Sequence, residues 1–326
     1  MQGSLKFPDL VEMTEAELSQ VDLGEMNLIV ANGLPNGPPL DRKPYLKRLD
    51  EMAIAVDKET EAFRPNFRPN PSCPTEAHYR GYMLLKACRD CYGLRHFLLP
   101  EKGSGFTGIM YGDCIKRHQR IDSRKWFIHG LLGPQRVGSC TSLPMLYAEV
   151  GRRLGYPIKL VPSLCHIFVR WEDGSERFNL EGTSPDYINC HPDEYYIDTP
   201  KPWTDRQKTC GYFLKSANAR ETLAIMLATR SMVLMFSGRL LEAGMMNSKA
   251  IELAPGDPEY PNIGGHIEKQ LAELPEDERV PALYSSVLNI GFDGKRFYIP
   301  DQRLQLKVEL LKYETPEKVA GVLAYM

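Results

Sequence analysis

The segment Gly138-Ser139-Cys140-Thr141-Ser142-Leu143 stands immediately before a run of apolar residues with helical spacing. The run stops at Gly155, with Pro157 just beyond it, as is typical of a helix C-terminus. The residues that form its apolar stripe are Leu143, Leu146, Tyr147, Val150 and Leu154. Pro144 fits only within a first helical turn, so the helix begins close to Cys140, Thr141 or Ser142. We therefore predict a cysteine at the N-terminus of a helix.

A cysteine in that position is suited to nucleophilic chemistry. Unsatisfied N–H groups and the helix dipole favour negative charge, which lowers the thiol pKa. The flanking Gly138 and Ser139 would let the backbone approach a substrate closely, and the Cys140 N–H would help to hold an oxyanion. Gln135 is a second candidate oxyanion donor, although a place on a loop surface is the favoured interpretation for it.

A β-hairpin is predicted downstream, with strands at residues 166–171 and 177–181 on either side of the turn dipeptide Asp173-Gly174. Symmetric pairing about this dipeptide places an imidazole beside a carboxylate. The expected cross-strand pairs are His166 with Glu181, Val169 with Phe178 and Trp171 with Glu176. Asn179 shares the face of Glu181, so it is an alternative orienting group for His166. Strand alternation places Cys165 on the opposite face.

Together these groups match the requirements of acyl transfer. A thiolate attacks an acyl carbon, an imidazolium protonates the leaving group, and a carboxylate orients the imidazole and stabilises its charge. Cys140, His166 and Glu181 occur in that order along the chain. This chemistry requires neither a metal nor an organic cofactor.

The same motifs resemble those of the transglutaminase-like superfamily, in particular its bacterial branch, which joins such a domain to tetratricopeptide-type helices. The similarity lies in the segments 138–143, 153–157, 166–171 and 178–183, and it extends to the helical leader around Asn27-Leu28 and residues 46–56. The resemblance implies an α+β, papain-like core with Cys140 as nucleophile, His166 as base and Glu181 as orienting acid. Many members carry Asp at the third position, and the animal transglutaminases follow their cysteine with Trp instead of Thr141.

Four regions are expected along the chain: a helical N-terminal region at 1–98, the transglutaminase-like core at 99–205, tetratricopeptide-like helices at 206–275 and a C-terminal extension at 276–326. A capping box at Thr14 and Glu17 predicts a helix that runs towards Gly33. Further helices are predicted over residues 46–56 and 75–93, a strand over residues 158–161, and a loop over residues 184–202. In the extension, residues 304–310 alternate like a strand, and a helix is expected after Thr315.

One tetratricopeptide-like unit is predicted around the turn Gly238-Arg239. Its characteristic positions are held by Leu227, Ser231, Leu234, Ala243, Ala250 and Pro255, and Asn247 departs from the pattern. A single repeat cannot cover its own apolar face, so we expect it to dock against the rest of the chain or a partner protein.

Composition narrows the functional classes. The chain has 326 residues, of which 43% are hydrophobic, and a net charge of -2 without a long Lys/Arg run, which argues against nucleic-acid binding. No apolar run is long enough to span a bilayer and the N-terminus lacks a signal-peptide core, so we expect no membrane association, a cytoplasmic location and reduced cysteines. The sequence thus predicts a cysteine-dependent acyl transferase or hydrolase with a protein or peptide substrate. The alternative is a catalytically silent scaffold that binds a partner protein or peptide.

Overall fold

The chain combines long helices with two small β-sheets, which places it in the α+β class, as the sequence predicts. The computed structural model describes residues 5–35, 37, 40–96, 122–183, 188–199 and 202–273. The N-terminal part contains the helices α1 (Phe7–Glu12), α2 (Glu15–Leu18), α3 (Leu23–Ala31), α4 (Arg42–Phe63) and α5 (Glu76–Tyr92). The central part contains β1 (Arg95–His96), α6 (Ile128–Leu131), β2 (Val137–Gly138), α7 (Ser142–Arg153), β3 (Ile158–Ser163), β4 (His166–Glu172) and β5 (Arg177–Leu180). The remaining helices are α8 (Asp193–Asp198), α9 (Asp205–Thr209), α10 (Ala219–Phe236), α11 (Leu240–Leu253) and α12 (Tyr260–Glu273).

The N-terminal helices begin at the predicted caps. Thr14 and Glu17 form the capping box of α2, and the Thr75 side chain accepts from the His78 N–H at the start of α5. The expectation of one helix from Thr14 towards Gly33 is wrong, because the chain breaks between α2 and α3. Asp22 starts the second helix by accepting from the Glu25 N–H at 2.7 Å. A strong cap within a helical sequence therefore divides it.

The helix α7 lies in the middle of the packed core, in contact with α3, α4, α5, α6, β3 and β4. Residues 142–151 of this helix are all buried, including the charged Glu149. The Glu149 carboxylate accepts from the Gly24 N–H at 2.8 Å, near the start of α3, and also pairs with Arg153. The predicted onset is confirmed, since Thr141 occupies the N-cap position and Ser142 is the first residue of the helix.

The larger sheet is antiparallel, with strand order β3-β4-β5, but the predicted register of its second hairpin is wrong. The observed pairs are Val169 with Leu180, Arg170 with Asn179, Trp171 with Phe178 and Glu172 with Arg177. Asp173 widens the turn because its Oδ1 accepts from the N–H groups of Ser175 and Glu176, at 2.8 and 2.9 Å. The resulting slip of two residues along β5 keeps every side chain on its predicted face.

The helix α8 lies within residues 184–202, which the sequence predicts as loop. Tertiary contacts explain this difference, because Tyr196 of α8 is buried and stacks on Phe168 of β4 with ring centroids 3.9 Å apart. In the first turn of α8, the Asp193 carboxylate pairs with the buried Arg170 at 2.6 Å. The charges and aromatic rings that hold α8 lie mostly outside its own segment, so local sequence did not reveal it.

The helices α10 and α11 form the predicted antiparallel hairpin, with Gly238 in the left-handed region (φ 78°) at the turn. Ser231 joins the two helices by donating to the Ala243 carbonyl at 2.7 Å. The hairpin docks on the N-terminal helices, where Arg230 donates to the Val30 carbonyl at 2.5 Å and Glu15 accepts from the N–H groups of residues 219 and 220. Docking within the chain agrees with the expectation for a solitary helical repeat. The tetratricopeptide assignment itself stays a prediction.

The predicted strand at 304–310 and the helix after Thr315 lie outside the described residues. Within the residues that the structure does describe, no helix has both the length and the apolar character needed to cross a membrane.

Candidate active site

Cys140 lies in the turn between β2 and α7, and the residue is only 3% exposed. Ser139 fixes this turn, since its Oγ accepts from the N–H groups of Thr141 and Ser142 at 3.1 and 3.2 Å. The Ser139 N–H in turn donates to Ser142 Oγ at 2.9 Å. Ser139 therefore positions the cysteine and does not face a ligand. Among the described residues, the Cys140 N–H has no acceptor, which leaves it available to an oxyanion.

His166 and Glu181 meet in the buried part of the site. Nε2 of His166 lies 2.7 Å from Oε2 of Glu181, and both side chains are less than a tenth exposed. His166 opens β4, whereas Glu181 follows β5 and forms an isolated bridge with Asn189. With the observed register the two residues are diagonal and not opposite, but they share a face and remain in reach.

Glu181 is held as a carboxylate by several donors. Its Oε1 accepts from the Thr183 N–H at 2.8 Å and from the Thr183 hydroxyl at 2.5 Å, and the Tyr196 hydroxyl approaches Oε2 at 3.4 Å. Burial alone would raise the pKa of Glu181, but the charge and hydrogen bond of His166 and the Thr183 donors outweigh it and hold the pKa well below its usual range. The acid is therefore ionised at neutral pH.

The His166 imidazole and the Cys140 thiol shift each other's pKa, in opposite directions. Because Nε2 contacts Glu181, Nδ1 is the ring nitrogen left for proton transfer. Burial alone would raise the pKa of Cys140, but hydrogen bonds and charges of the neighbouring imidazoles outweigh it and lower the pKa to about 6. Burial likewise opposes the imidazolium, yet Glu181 and Cys140 together raise the pKa of His166 above its usual range. At neutral pH the site therefore holds a thiolate, an imidazolium and a carboxylate.

A second imidazole, that of His96, also acts on the Cys140 thiol, and it was not predicted from sequence. His96 lies on β1, which pairs in parallel with β2 so that His96 is opposite Gly138, two residues before Cys140. The side chain is buried and is one of the two imidazoles that lower the pKa of the Cys140 thiol. Its position depends on pairing between two very short strands about forty residues apart, and such pairing leaves no local pattern in sequence.

The other predicted supporting residues lie elsewhere. The Asn179 amide contacts Arg170, the His191 carbonyl and Asp193, at 2.7 to 2.9 Å. Asn179 thus serves the buried arginine and not the imidazole, which Glu181 contacts instead. The half-buried Gln135 lies against the guanidinium of Arg124 at 3.3 Å, so the loop role favoured for it agrees with the structure.

The prediction that Cys165 points away from the site was drawn from strand alternation. Cys165 occupies the β3–β4 turn in the left-handed region (φ 54°), so that argument does not apply to it, and the direction of its side chain stays a prediction. The Cys140 sulfur lies 4.0 Å from the Cys165 carbonyl, and both cysteines line one cavity.

That cavity, of about 100 Å³, separates the cysteine from the helices that follow the sheet. One wall comes from the core and includes Trp126, Cys140, Thr141 and the β3–β4 turn with His166. The other wall comes from α10 and α12. The site is therefore formed jointly by the two parts of the chain. No cluster of three or more His, Cys, Asp and Glu side chains suited to a metal ion occurs in the described ranges.

No protein-family model matches the chain, and no curated protein matches it either. Among solved structures, the chain is similar to menin, in a crystal structure described as revealing the binding site for the Mixed Lineage Leukemia (MLL) protein. The two share 13% sequence identity over 93% of this chain and 74% of the menin chain, with a TM-score of 0.36. A TM-score this low supports no conclusion about fold or function.

Proposed function

We propose that the chain is a cysteine-dependent acyl transferase or hydrolase that acts on an amide or ester through a thioester intermediate. The observation that supports this most directly is the buried His166–Glu181 pair, with 2.7 Å between imidazole and carboxylate, in the same cavity lining as Cys140. This arrangement favours a thiolate and a protonated imidazole, and acyl transfer from a poor leaving group requires both.

In the first half of the reaction, the Cys140 thiolate attacks the carbonyl carbon and a C–S bond forms. The carbonyl electrons move to oxygen, where the Cys140 N–H is in place to donate to the oxyanion. When the intermediate collapses, the bond from carbon to the leaving amine or alkoxide breaks, and His166 gives its proton to that group. An acyl-thioester and a neutral imidazole remain.

In the second half, water or an amine attacks the thioester, and His166 accepts the proton that this nucleophile loses. The C–S bond breaks, and the sulfur leaves as the thiolate that began the cycle. Glu181 stays ionised throughout; it keeps Nε2 protonated and so directs Nδ1 to the sulfur and the substrate. Water gives a hydrolase, whereas an amine gives cross-linking or amidation.

We also assign the core to the transglutaminase-like superfamily, with a papain-like arrangement. The support is that the cysteine lies just before a buried central helix, α7, while His166 opens β4 and Glu181 follows the neighbouring strand β5. The sequence motifs at residues 138–143, 166–171 and 178–183 have the same order. The hairpin of α10 and α11 fits the tetratricopeptide-type helices of the bacterial branch.

Trapping of the acyl-enzyme tests the proposal. Incubation with 4-nitrophenyl acetate followed by rapid acid quench should leave one acetyl group, which peptide mass spectrometry places on Cys140. The Cys140→Ser variant should lose the burst of 4-nitrophenolate while its circular dichroism spectrum stays unchanged. Acetylation spread over several cysteines, or a burst that persists in Cys140→Ser, would contradict the proposal.

A second candidate function is supported by the burial of Cys140, which is 3% exposed. A catalytically silent scaffold that binds a partner protein or peptide would tolerate such burial, with the helices of α10 and α11 as part of its docking surface. Unchanged biological activity of a folded Cys140→Ala variant supports the scaffold, and loss of that activity supports the enzyme.

A further inference from the structure

The second wall of the cavity beside Cys140 comes from a later part of the chain than the turn that holds the cysteine. The apolar side chains that reach it from the following helices and the segment before them are Phe213, Ile225, Met232, Phe236 and Ile263. Trp126 and Ile167 add to the same lining from the core. Any group attached to a carbonyl carbon under attack by the sulfur would therefore lie against α10 and α12.

We propose that this cavity is the acyl-binding pocket of the site and that it selects small, neutral, apolar acyl groups. This inference rests on the proposed function and adds the class of substrate to it. The helices after the core then act as the specificity wall of the active site.

The charges of the lining support the choice of a neutral group. Asp257 and Glu259 lie at the α12 end of the cavity, and no Lys or Arg is among the described residues that line it. Asp257 also holds the start of α12, since its Oδ1 accepts from the Glu259 N–H at 2.7 Å. The one cation of the described lining, the His166 imidazolium, is already paired with Glu181 at 2.7 Å. An acyl group that ends in a carboxylate would therefore lose its water beside these acids with no Lys or Arg to pair with it. The pocket should therefore discriminate against acidic acyl groups.

The size of the cavity supports the choice of a small group. A dry cavity of about 150 Å³ lined by apolar side chains accommodates benzene, and this cavity, of about 100 Å³, is smaller. Each buried methylene contributes about a fourfold gain in binding, which corresponds to ~0.8 kcal/mol. This gain in binding should continue only until the acyl chain of the substrate fills the pocket.

A series of 4-nitrophenyl esters tests this inference in the full-length protein, with acylation rates divided by the spontaneous hydrolysis rate of each ester. We expect butyrate, which has two more methylenes, to acylate Cys140 about fifteenfold faster than acetate. We expect dodecanoate to lose this advantage, because its chain exceeds the cavity. The monoester of adipic acid should react at least tenfold more slowly than hexanoate, which has the same number of carbons but no carboxylate.

Two variants of the second wall show whether the preference comes from this cavity. Met232→Trp should fill the pocket and abolish the advantage of butyrate over acetate, whereas Phe236→Leu should enlarge it and move the optimum to longer chains. Met245→Trp is the matched control, since Met245 is half-buried on α11 outside the lining. Equal circular dichroism spectra and equal alkylation of Cys140 by iodoacetamide should confirm that all variants keep their fold and their thiolate.

The outcomes separate this inference from the proposed function. If Cys140 is acylated but the rates do not depend on chain length or terminal charge, or if Met232→Trp behaves like Met245→Trp, the pocket assignment is overturned while the enzyme stands. If no ester acylates Cys140, both fail.

Discussion

Nε2 of His166 lies 2.7 Å from Oε2 of Glu181, and this contact joins two strands whose register differs from the symmetric one. The slip of two residues makes the pair diagonal but keeps both side chains on one face of the sheet. The pair is buried and further held by Thr183. Glu181 is consequently held in place by Thr183, and it orients the His166 imidazole and stabilises its positive charge.

Replacement of the acid by its amide tests that contact. Glu181→Gln keeps the size of the side chain but removes the charge that favours the imidazolium, so the Cys140 pKa should rise. We expect alkylation of Cys140 by iodoacetamide at pH 7 to slow at least tenfold. Glu194→Gln, on the exposed face of α8, is the control and should leave the rate unchanged. A wild-type rate in Glu181→Gln would show that the carboxylate has no electrostatic role.

The pH dependence of alkylation should distinguish Cys140 from the other cysteines. The pKa of Cys140 is lowered to about 6, so its thiolate is present above that pH and is lost as the pH falls through it. Burial raises the pKa of Cys73 and Cys190 instead. Peptide mass spectrometry after iodoacetamide treatment at pH 5 to 9 should show half-maximal labelling of Cys140 near pH 6.

The His166→Ala variant tests whether the imidazolium causes this low pKa of Cys140. Without the imidazolium the thiol should titrate near its ordinary pKa, and labelling of Cys140 at pH 7 should fall by about 100-fold. A Cys140 profile centred near pH 9 in the unaltered protein would contradict the thiolate assignment.

His96 should stabilise the Cys140 thiolate less than His166 does. His96 is one of the imidazoles that lower the pKa of Cys140, so His96→Gln should raise that pKa by about one unit, which corresponds to ~1.4 kcal/mol. The alkylation profile should move to higher pH but stay below that of His166→Ala. His266→Gln, at an exposed position on α12, serves as the control. A profile identical to that of the unaltered protein would show that His96 is only a packing residue.

Asp193 should stabilise the fold without taking part in the chemistry. Its carboxylate pairs with the buried Arg170 at 2.6 Å and with Arg177 at 2.8 Å. Asp193→Ala leaves the Arg170 charge uncompensated and should lower the free energy of unfolding by about 3 kcal/mol. Glu194→Ala, at the next and exposed position, should change it by no more than about 0.5 kcal/mol. Equal urea midpoints for the two variants would argue against an important Arg170–Asp193 pair.

Much of the site is predictable from sequence because its parts are set by neighbours a few positions away. The onset of α7 follows from Pro144 and the apolar stripe, and the limits of α5 follow from Thr75 and Gly93. Strand alternation fixes which side chains share a face, and a register error of two residues leaves that result unchanged. The proximity of His166 and Glu181 was therefore predictable even though their exact pairing was not.

Four features of the site and its surroundings depended on tertiary structure alone. His96 reaches the sulfur through a parallel pairing between short strands, α8 is held by Phe168 and Arg170, and the second wall of the cavity comes from helices later in the chain. Asn179 faces Arg170 because of where the Asp173 turn closes. Local sequence specifies caps, turns and periodicity, whereas the burial of charged groups and the meeting of distant segments depend on packing of the whole chain.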